Sequence, residues 1–271
     1  WPTPTIFLFS SEIGDRIKMI DHHAHTLPGL DDGSTTLEES VEMCRISYDA
    51  GVRTVVATPH ILPGLYENNR STILAGVEKL NEAIGKFGVG SSPASGLKIL
   101  PGADVHFSPN LFLLFNNGGI MTVSDGGRYL MVEFDSMTLP YQGEEVLFEL
   151  IARGIIPVIT HPERNFEIAR TPKRYYRMIK MGCLGQVTAM SLTGGFGPEV
   201  KRVAERLLSH RLIHFIASDA HSVRQRPPLL STAVREAEKT VGRDEARRMV
   251  TEYPQALLEG RKPDVPEPIP I

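Results

Sequence analysis

The stretch Pro157-Val158-Ile159-Thr160-His161-Pro162-Glu163-Arg164 decides the fold. Its first four residues are apolar or β-branched without alternation, which is the pattern of a short strand covered on both faces. A polar turn follows at once, carrying a histidine, a carboxylate and an arginine. Beyond it, Thr171-Pro172 reads as a cap and first helical position, and Gly182 suits the end of that helix. Strand, polar turn and helix in succession form the repeating unit of a parallel sheet.

Working outward, the same unit recurs along the chain. Besides Pro157–Thr160, the candidate strands are Lys18–His22, Thr54–Thr58, Leu97–Pro101, Tyr129–Phe134, Gly185–Thr188 and Ile213–Ser218. Leu37, Val41, Cys44 and Tyr48 form one apolar helical stripe, with Thr36 and Glu39 placed as a capping box. Further helical patterns cover Glu144–Ala152, Glu199–Ser209 and Thr232–Lys239. Seven strands alternating with helices within 271 residues predict one α/β domain, a TIM-like (β/α)7 barrel. One strand short of eight, that barrel is expected to be distorted. The domain should span 18–260. Residues 1–17, which start on Trp1 rather than Met, read as an extension that is trimmed or foreign to the domain. Residues 261–271 read as a Pro-rich tail unable to sustain a helix.

Composition narrows the chemistry. The formal net charge of -3 speaks against nucleic acid as a partner. No apolar run reaches the length of a membrane span, so no membrane insertion is expected, and Ile6-Phe7-Leu8-Phe9 is too short for a signal-peptide core. Cys44 and Cys183 are the only thiols, too few for a disulfide framework, which points to a reducing cytoplasm. Six residues after Cys44 stands Ala50, and six after Cys183 stands Ala189, so neither cysteine opens the Cys-x5-Arg cradle of a cysteine phosphatase. No G-x4-G-K-[ST] loop is present. Gly194-Gly195-Phe196-Gly197 reads as a turn before a helix.

What the strands deliver is more specific. The first runs into Asp21-His22-His23-Ala24-His25, where His23 and His25 share one side of an extended chain. Asp31-Asp32-Gly33 follows in a loop. The second strand ends at Thr58-Pro59-His60, the third at Gly102-Ala103-Asp104, and the fourth carries Glu133. The fifth ends at His161 and the seventh at Ser218-Asp219-Ala220-His221. A polar residue at one strand end is unremarkable. At six of seven, all at the C-terminal end where barrels carry their sites, a shared metal centre is the better explanation. The candidate ligands are His23, His25, Asp32, His60, Asp104, Glu133, His161, Asp219 and His221. That is too many for one tetrahedral ion and fits two or three. Imidazole and carboxylate without thiolate suit Mn, Fe or Zn. Arg164 and Arg226 stand nearby, and a guanidinium fork matches phosphate oxygens. His106, His210 and His214 lack a partner pattern and read as structural, as does His22, which should face away from His23.

In this order, H-x-H, T-P-H, G-A-acid, H-P-E-R and S-D-x-H resemble the polymerase and histidinol phosphatase (PHP) superfamily. Ile20 to Gly33, Ala57-Thr58-Pro59-His60, Gly182-Cys183-Leu184, Ser191-Leu192-Thr193-Gly194 and Arg226-Pro227-Pro228 are similar to the bacterial capsule-operon protein-tyrosine phosphatases of PHP type. The resemblance covers about Ile20 to Leu258. It implies a distorted (β/α)7 barrel with three divalent metal sites. His23, His25 and Asp219 would hold one ion, and Glu133 and His161 a second, with Asp104 bridging the two. Asp32, His60 and His221 would hold the third, and Arg164 and Arg226 would be the catalytic, phosphate-binding arginines. It also implies a phosphotyrosine protein as substrate, the tail of a bacterial tyrosine kinase controlling capsule and exopolysaccharide synthesis. The chain departs at Asp104, where Glu is usual, and at His22, usually aliphatic. The implied reaction is in-line attack on phosphorus by hydroxide generated at the metals. The alternatives are a small-molecule phosphatase acting on a substrate such as histidinol phosphate, a nuclease, and a non-catalytic metal-binding regulatory module.

Overall fold

A computed structural model of the protein describes residues 17–89 and 96–271. All but the last residue of the expected N-terminal extension therefore lies outside the described residues. The strands are β1 (Met19–Ala24), β2 (Val52–Ala57), β3 (His60–Ile61), β4 (Lys98–Pro101), β5 (Asp104–His106), β6 (Tyr129–Glu133), β7 (Ile156–Thr160), β8 (Leu184–Thr188) and β9 (Phe215–Ala217). Every pairing between them is parallel. Leu130, Met131 and Val132 in β6, like Val158 and Ile159 in β7, are fully buried in succession, because the barrel interior covers one face and helices the other.

The seven expected strands are present, and two of them are broken. The sheet falls into the order β1-β2-β4 and the order β3-β5-β6-β7-β8-β9. β2 and β3 are separated only by Thr58-Pro59, where proline has no N–H to donate to a ladder. β4 and β5 are separated only by Gly102-Ala103. An ideal Cβ on Gly102 would lie 2.7 Å from Val56 Cγ1 and 3.2 Å from Thr58 Cγ2, so the two breaks press against each other and glycine is required. Past the breaks, His60 aligns with Asp104 and His106 with Glu133, which places site residues side by side.

Closure is also irregular. β9 returns to β1 through one bridge, Ala24 to Ala220, with Asp219 N donating to His23 O at 2.9 Å and His25 N to Ala220 O at 2.8 Å. Lower down, Met249-Val250 fills the gap: Ile20 N donates to Val250 O at 2.8 Å and Ile216 N to Met249 O at 3.3 Å. A connecting segment thus stands where an eighth strand would, and the barrel is drawn together at its C-terminal mouth. This is the distorted parallel barrel expected from seven units.

Helices form the outer layer. Leu37–Asp49 is capped by Thr36, which accepts from Glu39 N at 3.2 Å, but the Glu39 carboxylate turns to Thr35 N, so only half of the expected capping box forms. Pro172 itself caps Lys173–Met181, and Thr171 instead ends the preceding helix, Phe166–Arg170. Gly182, at φ 120°, ends Lys173–Met181 as expected. Gly143–Ala152, Pro198–Ser209 and Leu230–Val241 match expectation to within two residues at each end. The helix Arg70–Lys86 is absent from the sequence-based expectation, although Asn69 and Thr72 form a complete capping box at its start. Residues 261–271 have no regular structure and are tied down under the barrel, where Ile269 N donates to His210 O at 2.9 Å. Among the described residues, no helix is long and apolar enough to cross a membrane.

Candidate metal centre

The barrel mouth gathers all nine candidate ligands. His23 Nε2 and His25 Nε2, from the end of β1, face each other at 3.1 Å. Asp219 Oδ1 lies 3.5 Å from the first and 3.4 Å from the second. Glu133 Oε1, at the end of β6, is 3.3 Å from His161 Nε2, and Glu133 Oε2 is 3.3 Å from His60 Nδ1. Asp32 Oδ1 stands 3.5 Å from both His60 Nε2 and His221 Nε2. Asp104 is central: its Oδ2 is 3.5 Å from His23 Nε2, and 3.8 Å from both His60 Nδ1 and His161 Nε2. Asp in place of Glu therefore reaches imidazoles from three different strands.

Each ring is aimed by a partner behind it. His23 Nδ1 donates to Gln186 Oε1 at 2.8 Å, and His25 Nδ1 to Asp31 Oδ2 at 2.6 Å. His221 Nδ1 donates to the Asp219 carbonyl at 2.9 Å. With Nδ1 occupied, all three rings present Nε2 to the centre. Thr160 Oγ1 holds Asp104 Oδ1 at 3.2 Å. Asp31 and Gln186 are absent from the sequence-based expectation. Of the Asp31-Asp32 pair, spacing does not say which carboxylate turns inward, and a neutral amide within a strand carries no signal. Two strand-end residues are in the left-handed region, His161 at φ 33° and Asp219 at φ 51°. This conformation costs a side-chain-bearing residue of order 1–3 kcal/mol, and here it turns both side chains back over the mouth.

The electrostatics call for a cation. Burial alone would neutralise His25, yet the carboxylates of Asp31 and Asp219 push it up to about 10. Burial opposes ionisation of Asp219 and Glu133 as well, but the surrounding imidazoles, with Arg226 at Asp219, hold both well below the usual carboxylate range. Asp104 Oδ2, fully buried, has no hydrogen-bond partner among the described residues. The two Nε2 atoms facing each other beside ionised carboxylates mark a place where positive charge is favoured, held here by a proton on His25 that a divalent ion would displace. Ligand atoms of His25, Asp32, His60 and His221 lie within 4.8 Å of one another, as do those of His23, His25 and Asp104, and those of His60, Asp104 and Glu133. The residues fit a cluster of ions.

Arg164 Nη1 donates to Asp219 Oδ2 at 2.6 Å, and Arg226 Nη2 donates to the same oxygen. Both guanidinium groups thus converge on the centre. Glu163 does not enter it. Its Oε1 accepts from Thr188 N at 3.0 Å and Ser191 Oγ at 2.6 Å, tying the turn after β7 to the end of β8. His106 is not remote: its Nδ1 lies 3.9 Å from Glu133 Oε2. His214 accepts from Gly185 N at 3.0 Å, and His22 packs at a tilt against Phe215 on the far side of β1, both outside the centre as expected.

Comparison with known proteins places this arrangement. The family model for capsular polysaccharide synthesis proteins CpsB/CapC matches residues 19–259. Tyrosine-protein phosphatase YwqE of Bacillus subtilis (strain 168) is 35% identical over 243 residues, covering 90% of this chain and 92% of that protein. Tyrosine-protein phosphatase CpsB of Streptococcus pneumoniae is 30% identical over 245 residues, 89% of this chain and 98% of its own. A crystal structure from work on these two proteins, described as metal-dependent tyrosine phosphatases, matches with a TM-score of 0.87 at 34% identity, over 93% of this chain and 99% of that one. A phosphotriesterase homology protein of Escherichia coli, at TM-score 0.55 and 12% identity over 89% of this chain and 98% of its own, shares the fold alone. The chain belongs to the CpsB/CapC family of capsular polysaccharide synthesis proteins.

Proposed function

We propose that this chain is a metal-dependent protein-tyrosine phosphatase. The observation that carries the reading is the gathering of nine imidazole and carboxylate side chains at the barrel mouth, with two guanidinium groups on one of them, Asp219. The named activities of YwqE and CpsB support it. His23, His25 and Asp219 would hold one ion, Glu133 and His161 a second with Asp104 between them, and Asp32, His60 and His221 a third. Mn, Fe and Zn all suit this donor set. Divalent ions bound there would acidify water and neutralise phosphate oxygens. Arg164 and Arg226 would turn their forks to the phosphoryl oxygens, fixing phosphorus beside the cluster. Gln186 and Asp31 keep Nδ1 of His23 and His25 occupied, so that neither ring rotates away. A tyrosinate leaving group, with an ordinary pKa of about 10, needs little help from an acid.

The substrate is phosphotyrosine on a protein, the tail of a bacterial tyrosine kinase in exopolysaccharide synthesis, met in the cytoplasm. The named activities of YwqE and CpsB favour this over a small molecule. Turnover of a phosphotyrosine peptide, histidinol phosphate and single-stranded DNA, with metal content measured on the same sample, tests the reading. The peptide should be hydrolysed with the highest kcat/KM. Faster turnover of either competitor would overturn it, and metal-loaded protein inert toward all three would mark a regulatory module instead.

A further inference from the structure

In the Gly194-Gly195-Phe196-Gly197 turn, Gly194 ends the helix Ala189–Thr193 in the left-handed conformation and Gly197 opens Pro198–Ser209, which leaves one side chain unexplained by turn geometry. Gly194 sits at φ 85° and Gly197 at φ 93°, and an ideal Cβ on Gly195 would lie 2.6 Å from Met190 Cε. Gly194 and Gly197 thus hold backbone conformations that strain a side chain, and the loop presents a single one, Phe196. That ring faces the two arginines already described. Arg164 Cζ lies 5.0 Å from its centroid and Arg226 Cζ 5.7 Å. Both distances are within the roughly 6 Å at which a ring face attracts a cation. The guanidinium groups come from different parts of the barrel, one after β7 and one after β9, and both reach the same oxygen of Asp219. Two cations so close repel each other. Arg226 Nε is buried and has no hydrogen-bond partner among the described residues.

From this geometry we infer that Phe196 is a positioning residue for phosphate recognition, an aromatic platform that holds Arg164 and Arg226 together with their forks directed at the metal centre. The inference rests on the reading that these arginines bind the phosphoryl group. The electron-rich ring face offsets part of the repulsion between the guanidinium groups and limits their rotation before substrate arrives. The ordering is then already complete when the phosphate binds, so affinity is gained without a new contact to the ligand.

The prediction separates an aromatic platform from an apolar filler. Phe196→Leu keeps an apolar side chain of similar bulk and removes the ring, whereas Phe196→Trp keeps an aromatic face. In the metal-loaded protein, inhibition by inorganic phosphate should weaken by about 2- to 30-fold in Phe196→Leu and in Phe196→Ala, and Phe196→Trp should stay near wild type. KM for a phosphotyrosine peptide should rise with the phosphate inhibition constant, while kcat, metal content and thermal midpoint change little. Wild-type phosphate inhibition in Phe196→Leu would overturn the inference, and so would equal losses in the Leu and Trp variants. Arg164→Ala and Arg226→Ala, run alongside, test the underlying reading. If they weaken phosphate inhibition and Phe196→Leu does not, only the platform fails. If they do not, the assignment of the arginines fails with it.

Discussion

Asp31 sets the orientation of His25 by bonding Nδ1, which leaves Nε2 facing the centre. Besides His25 Nδ1 it accepts from His60 N at 3.0 Å and Gly33 N at 2.9 Å, so one carboxylate anchors a ring, a strand end and a loop. Loss of a partner behind a ligating histidine typically costs about 10- to 100-fold in metal affinity. Asp31→Ala should therefore fold and bind metal more weakly by that factor, read by competition with a chelator; unchanged affinity would remove Asp31 from the centre. His22 shows the opposite relation to function. Both its ring nitrogens are buried without partners among the described residues, and burial pushes its pKa down to about 3, so it sits neutral and unsatisfied against Phe215. Leaving such a group unpaired costs about 1–3 kcal/mol. His22→Leu should raise the thermal midpoint by about 2–4 °C per kcal/mol recovered, with no change in metal content. A lower midpoint would mean that the ring has a partner that these contacts do not include. At this scale the sequence exposes the ligand candidates because His, Asp or Glu recurs at the C-terminal ends of six of the seven expected strands. It hides Asp31, Gln186 and Phe196, whose roles depend on which neighbour the fold supplies.

At the scale of elements, the two strand breaks do the positioning. Ending β2 at Ala57 and β4 at Pro101 lets β3 and β5 restart in a second sheet, with His60 aligned to Asp104. Gly102 permits this, since a Cβ there meets Val56 Cγ1 on a strand that cannot retreat. Gly102→Ala should destabilise the protein by about 1–3 kcal/mol through overpacking. It should also weaken metal binding, because Asp104 follows two residues on. Urea unfolding with and without metal measures both effects, and an unchanged midpoint in each would show that the break has no structural role. The seven strands were legible because runs such as Leu130-Met131-Val132 lack alternation. The breaks were not, because Pro59 and Gly102 each look like an ordinary strand end. The helix Arg70–Lys86 escapes the sequence reading for a related reason. Ile73, Val77, Leu80 and Ile84 make a buried stripe, but Gly76 and Gly85 interrupt it with residues of low helical propensity. Gly76 is tolerated because Leu27 packs close, with its Cδ1 3.3 Å from where a Cβ would be.

At the scale of the whole molecule, a parallel barrel brings side chains from β1, β3, β5, β6, β7 and β9, with the loops after them, to one mouth. This is why residues 198 positions apart in sequence, His23 and His221, belong to one centre. The cysteines are excluded from it. Cys44 and Cys183 are buried in the hydrophobic core, where burial pushes the first thiol up to about 12 and the second higher still. A thiol with a raised pKa stays protonated until pH approaches that value. At pH 8 only about one Cys44 in ten thousand is therefore the reactive thiolate. Iodoacetamide at pH 8 should leave the folded protein unmodified by mass spectrometry and fully active; activity lost in step with a single adduct would point to cysteine chemistry. The central claim is that the cluster of ions at the mouth drives phosphate-ester hydrolysis. Its most direct test is hydrolysis of a phosphotyrosine peptide by chelator-stripped protein during stepwise return of Mn, with bound metal per chain measured at each step. Turnover should be absent from the stripped protein and should return only as more than one ion binds per chain. Full turnover by stripped protein, or turnover complete at a single ion per chain, would contradict the claim.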